Sequence, residues 1–355
     1  MNFYLLLLLS SMGLIFFSQY TGKRLGLNLC VFVAVILGAV ASSRGYVGTD
    51  TYSYHLHFEL INSTEGFDAV ALGIEPGLIV IGKLISLAGG DSFAYISVIG
   101  ILQTLLIIFI IKRIERPELF LFFYIATFYL SFHFNILRAS SSLLLILIAL
   151  LWIKVGGLKF YFVLWSSVFF HYAAILVVAY VLFYKQFRER KYISGVLILL
   201  MSLMVMYGAI TMFGDVIIAK YSQYLQGDFA VKRDFRIGLL LLIFLYLGLG
   251  LTLLKQSTLD FIFFVLPLVV IKYFALDYPI MGRLESFILP MLMLVLTKDV
   301  IKSWRRDISS VIIVILSIIN VYGVLSGLSI GRDGVFDAVH SASPFIPYHT
   351  FWGIK

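Results

Sequence analysis

Several polar residues in this chain sit where apolar neighbours make them costly. Arg138 lies in Phe132-His133-Phe134-Asn135-Ile136-Leu137-Arg138-Ala139-Ser140-Ser141-Ser142, between two apolar runs. A guanidinium there needs a buried acid such as Glu75 as partner, or a wet cavity and a ligand. Its planar fork suits phosphate. His171, in Phe169-Phe170-His171-Tyr172, could be a structural hydrogen-bonder, a base or a phosphate ligand. Arg283, in Asp277-Tyr278-Pro279-Ile280-Met281-Gly282-Arg283, could pair with Asp277 or hold a second phosphate. The stretch Arg44-Gly45-Tyr46-Val47-Gly48-Thr49-Asp50-Thr51-Tyr52-Ser53-Tyr54 combines aromatic faces and hydroxyls with an Arg and an Asp. That mixture could hold a sugar, or it could be an interfacial aromatic belt with turn glycines. His55, His57 and Glu59 would share a face on a strand, whereas on a helix only His55 and Glu59 align. They match no fixed metal-ligand spacing, and a hydrophilic loop accounts for them.

The elements that must position these residues are membrane helices. Of 355 residues 61% are apolar and 13% charged, and mean hydropathy is +1.02. A soluble protein of this size could not cover its surface with so few charges. Disorder is excluded, because it needs low hydrophobicity. With one cysteine, Cys30, there is neither an intrachain disulfide nor a cysteine metal site. A bilayer core of about 30 Å takes about 20 apolar residues per helix. Candidate spans run over 3–20, 26–42, 92–111, 118–134, 136–153, 193–213, 237–254, 260–276, 284–297 and 308–327. The stretch 158–184 is basic at both ends and reads as a helical hairpin turning near His171. The fold class expected is all-α: a polytopic membrane protein with about twelve transmembrane helices. Residues 76–89 are too short to span, contain Lys83 and open on Glu75-Pro76-Gly77. They read as a re-entrant or interfacial helix, with Pro76 in its first turn and Glu75 at the positive end of its dipole.

The first span has no basic n-region and no small-residue cleavage site, so it reads as a retained helix. On this topology 16 of the 27 Lys and Arg fall in loops on one side, which positive-inside makes cytoplasmic. The net charge of +8 is then mainly a topology signal, with no nucleic-acid footprint. Lys83 and Lys272 lie inside apolar segments, where each can snorkel. The chain reads as one integral membrane domain, 1–355, whose long loops 43–75 and 214–236 and tail 328–355 face outside. Loop 214–236, with Lys220, Lys232, Arg233, Arg236, Tyr221 and Tyr224, could be a lid or a plain connection. The tail Pro344-Phe345-Ile346-Pro347-Tyr348 suits the membrane interface.

In this order, Arg44, Val47-Gly48-Thr49-Asp50-Thr51-Tyr52, Tyr54, Phe58, Glu75-Pro76-Gly77, Leu137-Arg138, Phe170-His171, Arg283 and Pro347-Tyr348 resemble the EpsG-like family of bacterial polysaccharide polymerases, akin to Wzy O-antigen polymerases. The resemblance spans nearly the whole chain; each motif alone is weak, and the ordered set is more specific. Thr51 stands where the family commonly has Tyr, and Ala139 where Gln usually follows the Arg.

The resemblance implies an enzyme that joins oligosaccharide repeat units on the outer face of a bacterial inner membrane. The growing glycan on undecaprenyl diphosphate is the donor, and one repeat unit on the same lipid is the acceptor. Relatives resemble GT-C glycosyltransferases, with no cofactor or metal. The expected partners are the lipid-linked oligosaccharide, membrane lipid and a chain-length regulator protein, with no nucleic acid. Arg138, Arg283 and Arg44 are the candidates for the diphosphate, and Tyr52 and Tyr54 for the glycan. Asp50, Glu75 and His171 are the catalytic candidates, with His171 placed near the diphosphate and Asp50 or Glu75 near the acceptor. The rival readings are a lipid-linked oligosaccharide flippase, an O-acyltransferase and an O-antigen ligase. A flippase fold usually carries internal repeats, and none is visible here.

Overall fold

The computed structural model describes residues 2–48, 50–65, 68–70, 73–198, 200–202, 204, 236–254, 257–274, 279–298 and 310–319. At 2, 236–241, 252–254, 274, 279–283 and 298 it describes the backbone alone. Among these residues the chain is helical, with no extended strand. It divides into two compact units, one built on Met1–Ala174 and the other on Ile175–Leu296.

In the first unit the helices follow the apolar runs. They are α1 (Asn2–Ser18), α2 (Lys23–Ser42), α3 (Thr51–Ser63), α4 (Pro76–Leu87), α5 (Ser92–Ile111), α6 (Pro117–Tyr124), α7 (Leu137–Leu151) and α8 (Gly157–Phe170). Asp91 caps α5 by accepting from the Ala94 N–H at 2.9 Å. The 20 residues of α5 then run about 30 Å, the thickness of a bilayer core. α2 and α5 approach through small residues, Gly38 against Thr104 and Gly100 against Ser42. A Cβ at Gly100 would lie 2.7 Å from the Ser42 hydroxyl. Such close helix contacts suit a medium in which apolar burial drives nothing.

α6 continues into a π-helical stretch, Ile125–His133, that is almost wholly buried. Such i→i+5 widenings are uncommon and recur at functional sites. The chain then breaks at Phe134-Asn135-Ile136 and restarts as α7, placing Arg138 in the first turn. After Arg138 and the three serines of its first turns α7 is wholly apolar; it is buried along nearly all its length and packs against α5 and α8. α8 ends at Phe170, His171 is extended, and the next helix, α9 (Ala174–Arg188), begins three residues later. The break therefore falls at the expected His171.

The expected loop 43–75 is not irregular throughout: Thr51–Ser63 is helical. The strand alternative for His55, His57 and Glu59 is thereby removed. Lys83 donates to the Thr64 carbonyl at 2.6 Å, so α4 carries its charge against the end of α3.

In the second unit α9 meets residues 258–274, where Tyr184 donates to Asp260 at 2.5 Å. Lys272 does not simply snorkel. It donates to both Glu285 oxygens at 2.9 and 3.0 Å, and Tyr246 donates to Oε1 at 2.6 Å. That cluster ties together the helices Arg236–Leu254, Leu266–Phe274 and Pro279–Lys298.

Two described helices, α2 and α5, are each long and apolar enough to cross a membrane alone; the other apolar helices run 10–17 residues over the positions described with their side chains. Among the described residues these two are the clear crossings, and expected spans such as 193–213 and 308–327 lie partly outside those residues. Large apolar side chains such as Leu6, Phe17, Phe32, Leu105 and Phe162 point outward. This is the arrangement a helical protein in lipid requires.

Candidate active site

The site is built on Glu75. Pro76 starts α4, since its missing N–H would have no partner in a first turn. Glu75 therefore stands at the N-cap, in extended backbone. Gly77 follows because α4 presses on the end of α8: a Cβ there would lie 2.9 Å from the Phe169 carbonyl oxygen. The Glu-Pro-Gly sequence thus reads as ligand, helix start and close approach.

The Glu75 side chain is 2% exposed. Arg138 reaches it with one nitrogen, Nη1, which lies 3.3 and 3.2 Å from its two oxygens. His171 Nδ1 lies 3.3 Å from Oε1. Burial alone would raise the carboxyl, but the His171 hydrogen bond and the Arg138 charge outweigh it and hold Glu75 below the usual carboxylate range. Arg138 remains 33% exposed and His171 25%, so both reach open space while their carboxylate does not. Arg138 also sits at the amino end of α7, where a cation is disfavoured by the helix dipole and an anion attracted.

Tyr54, on α3, closes one side. Its hydroxyl accepts the Arg138 backbone N–H at 3.3 Å, and burial pushes its pKa up to about 12. Tyr172 donates to the Ile74 carbonyl at 3.2 Å and holds the residue before Glu75.

A second set of contacts shapes the start of α3. Gly48 has φ +103°, and a Cβ there would meet Asn135 Oδ1 at 3.0 Å. The same Oδ1 accepts the Asp50 N–H at 3.0 Å, which ties Asp50 to the break before α7. Thr51 is fully buried and donates to the Val47 carbonyl.

Of the expected site residues, the structure brings together Glu75, Arg138, His171 and Tyr54. Asp50 sits at the N-cap of α3, close enough to act electrostatically on Tyr54. Arg44 is 1% exposed, donates to the Ala41 carbonyl at 2.7 Å and lies over the Phe134 ring at 5.0 Å. Tyr52 is 54% exposed, on the outward side of α3. The Arg283 side chain, Asp277, loop 214–236 except for its last residue, and the tail segment at Pro347-Tyr348 lie outside the described residues.

His55 and His57 diverge. His55 bonds Ser92 at 2.6 Å and packs with Tyr46 and Phe93; burial, helped by the Arg44 charge, pulls its pKa down to about 4. His57 instead packs on Tyr54. No group of three or more His, Cys, Asp or Glu placed to hold a metal occurs among the described residues.

Sequence reasoning missed Tyr95. It is fully buried, its hydroxyl has no hydrogen-bond partner among the described residues, and it lies within electrostatic reach of Tyr54, Glu75 and Arg138. A tyrosine in the first turn of an otherwise apolar span was the available signal.

The sequence profile of the EpsG family matches residues 27–350. The chain belongs to the EpsG family. The match takes in every motif just described, from Arg44 past Arg283. EpsG membership points to a polymerase-type function in polysaccharide biosynthesis, of the glycosyltransferase-like kind, and to a membrane protein. Searches of curated proteins and of solved structures gave no match.

Proposed function

We propose that this EpsG-family protein is a Wzy-type polymerase. It joins undecaprenyl-diphosphate-linked oligosaccharide repeat units on the outer face of the inner membrane. The observation that carries the reading is one buried carboxylate, Glu75, holding Arg138 and His171 side by side with their outer faces open.

In such a reaction the anomeric carbon of the growing glycan leaves its diphosphate and bonds to an acceptor hydroxyl. Charge grows on the diphosphate, and donors already in place stabilise it without reorganising. Arg138 offers the guanidinium nitrogens not engaged with Glu75, and His171 is the second donor beside it. Glu75 is too buried and too engaged to take a proton from a sugar. Its role is to fix the two donors, which refines its place among the catalytic candidates. Asp50 and Tyr52 lie on the α3 side, where the acceptor glycan would pass. Arg44 is buried against the Ala41 carbonyl and the Phe134 ring, which gives it a structural part, and Arg283 remains a candidate second diphosphate contact.

The test is the surface glycan of a deletion strain complemented with wild type or Arg138→Lys. A deletion that keeps a single repeat unit but loses the ladder supports a polymerase. The Lys variant keeps the charge but loses the fork, so it should insert normally and leave most glycan at one repeat unit. Wild-type polymer length with Arg138→Lys would remove Arg138 from the site. Loss of all surface glycan in the deletion strain, with lipid-linked units trapped inside, would replace the polymerase with a flippase.

A further inference from the structure

Glu75 is spent on its two partners and is not the base for the acceptor. A second imidazole stands next to the Arg138 site. His57 is on α3, one turn after Tyr54, and i,i+3 residues share a helix face. Its ring meets the Tyr54 ring edge-on, centroids 5.7 Å apart at 86°. Tyr54 in turn accepts the Arg138 backbone N–H at 3.3 Å. His57 thus stands beside the Arg138 site on the α3 side. Its Nδ1 is buried with no hydrogen-bond partner among the described residues. Buried polar atoms are rarely left so without a reason. Nε2 is not among the buried atoms, so it is the ring nitrogen that reaches open space.

Resting on the polymerase reading, we infer that His57 is the base that takes the proton from the acceptor hydroxyl. The step balances within the site. The acceptor O–H proton passes to His57 Nε2, and the acceptor oxygen bonds to the anomeric carbon. The bond from that carbon to the diphosphate oxygen breaks, and the electron pair leaves on the diphosphate, held by Arg138 and His171.

The surroundings of His57 favour its neutral form, the one that can accept a proton. Three groups bear on it: Tyr54 on its own helix, Arg138 on α7 and Glu75 before α4. Burial and the Arg138 charge hold His57 below the usual histidine range, against the pull of Glu75.

The experiment uses full-length protein in proteoliposomes, with lipid-linked repeat units extracted from the deletion strain. Initial rates are followed from pH 5 to 9 for wild type, His57→Gln and His57→Asn. Removing a general base should lower the rate about 100-fold or more. The acid limb of the wild-type profile should vanish from the residual activity, while binding of undecaprenyl diphosphate stays within about twofold of wild type. A structural role would lower the rate evenly and keep the acid limb, and that result, like an unchanged rate, overturns the inference. Wild type that binds the lipid but makes no polymer refutes the polymerase reading itself, and the His57 inference falls with it.

Discussion

At the scale of residues, one carboxylate organises the site. Glu75 is buried to 2%, and its two partners are one-third and one-quarter exposed. Breaking a buried pair by removing one partner strands the other charge. Glu75→Gln keeps the shape and removes the charge, so it should destabilise by about 3 kcal/mol, at the low end because Arg138 is partly solvated. The pH dependence has a definite sign. A carboxyl held below its unfolded value near about 4.3 stabilises above that value, and the contribution disappears as pH falls through the folded one. The difference in thermal midpoint between wild type and Glu75→Gln should thus be full at neutral pH and shrink below about pH 4. A gap that stays constant into acid would mean the charge is not what Glu75 contributes. Glu75 was legible in the sequence as a partner for Arg138, because a buried guanidinium demands an acid. Its simultaneous hold on His171 was not, since nothing local links residues 96 positions apart.

At the scale of elements, the site depends on how closely α4 meets α8. Gly77 lies against the Phe169 carbonyl, and neither backbone can yield as a flexible side chain would. Gly77→Ala should cost about 1–3 kcal/mol as overpacking and move Glu75 with the start of α4. Polymer length should collapse while the protein still reaches the membrane. Gly13→Ala is the control, because a Cβ at Gly13 meets nothing within 4 Å. Equal behaviour of the two variants in the glycan ladder would show that the α4–α8 contact does not position the site. The short helix after Glu75-Pro76-Gly77 was legible from Pro76 and from its length. The helix over Thr51–Ser63 was not, because Tyr, His and Ser are weak helix formers and it is tertiary packing that buries Tyr54, Phe58 and Ile61.

At the scale of the whole molecule, the proposed chemistry requires the Glu75 side to face outward. Cys30 is the single cysteine, so Cys30→Ala gives a background free of thiols. In it, Asn62→Cys on α3 should react with a membrane-impermeant maleimide in intact cells, and Lys112→Cys after α5 only once the membrane is opened. The reverse pattern would put the site on the cytoplasmic side and end the polymerase reading. Most helix limits needed nothing beyond the sequence. Apolar runs and an N1 proline at Pro76 act over one or two turns, so local order reports them. The break at His171 was visible in the same way, as an apolar stretch too long for one crossing and basic at both ends. Family membership was also legible, because ordered motifs survive without knowledge of their contacts. What the tertiary structure alone decided is which of those motifs meet. It set Arg138 and His171, 63 and 96 residues beyond Glu75, on one carboxylate at 3.2–3.3 Å and sent Arg44 to Phe134 instead. It also parted His55 from His57. The reason is physical: an ion pair forms where packing brings its members together, and packing is settled by the whole set of helix faces rather than by any stretch of chain.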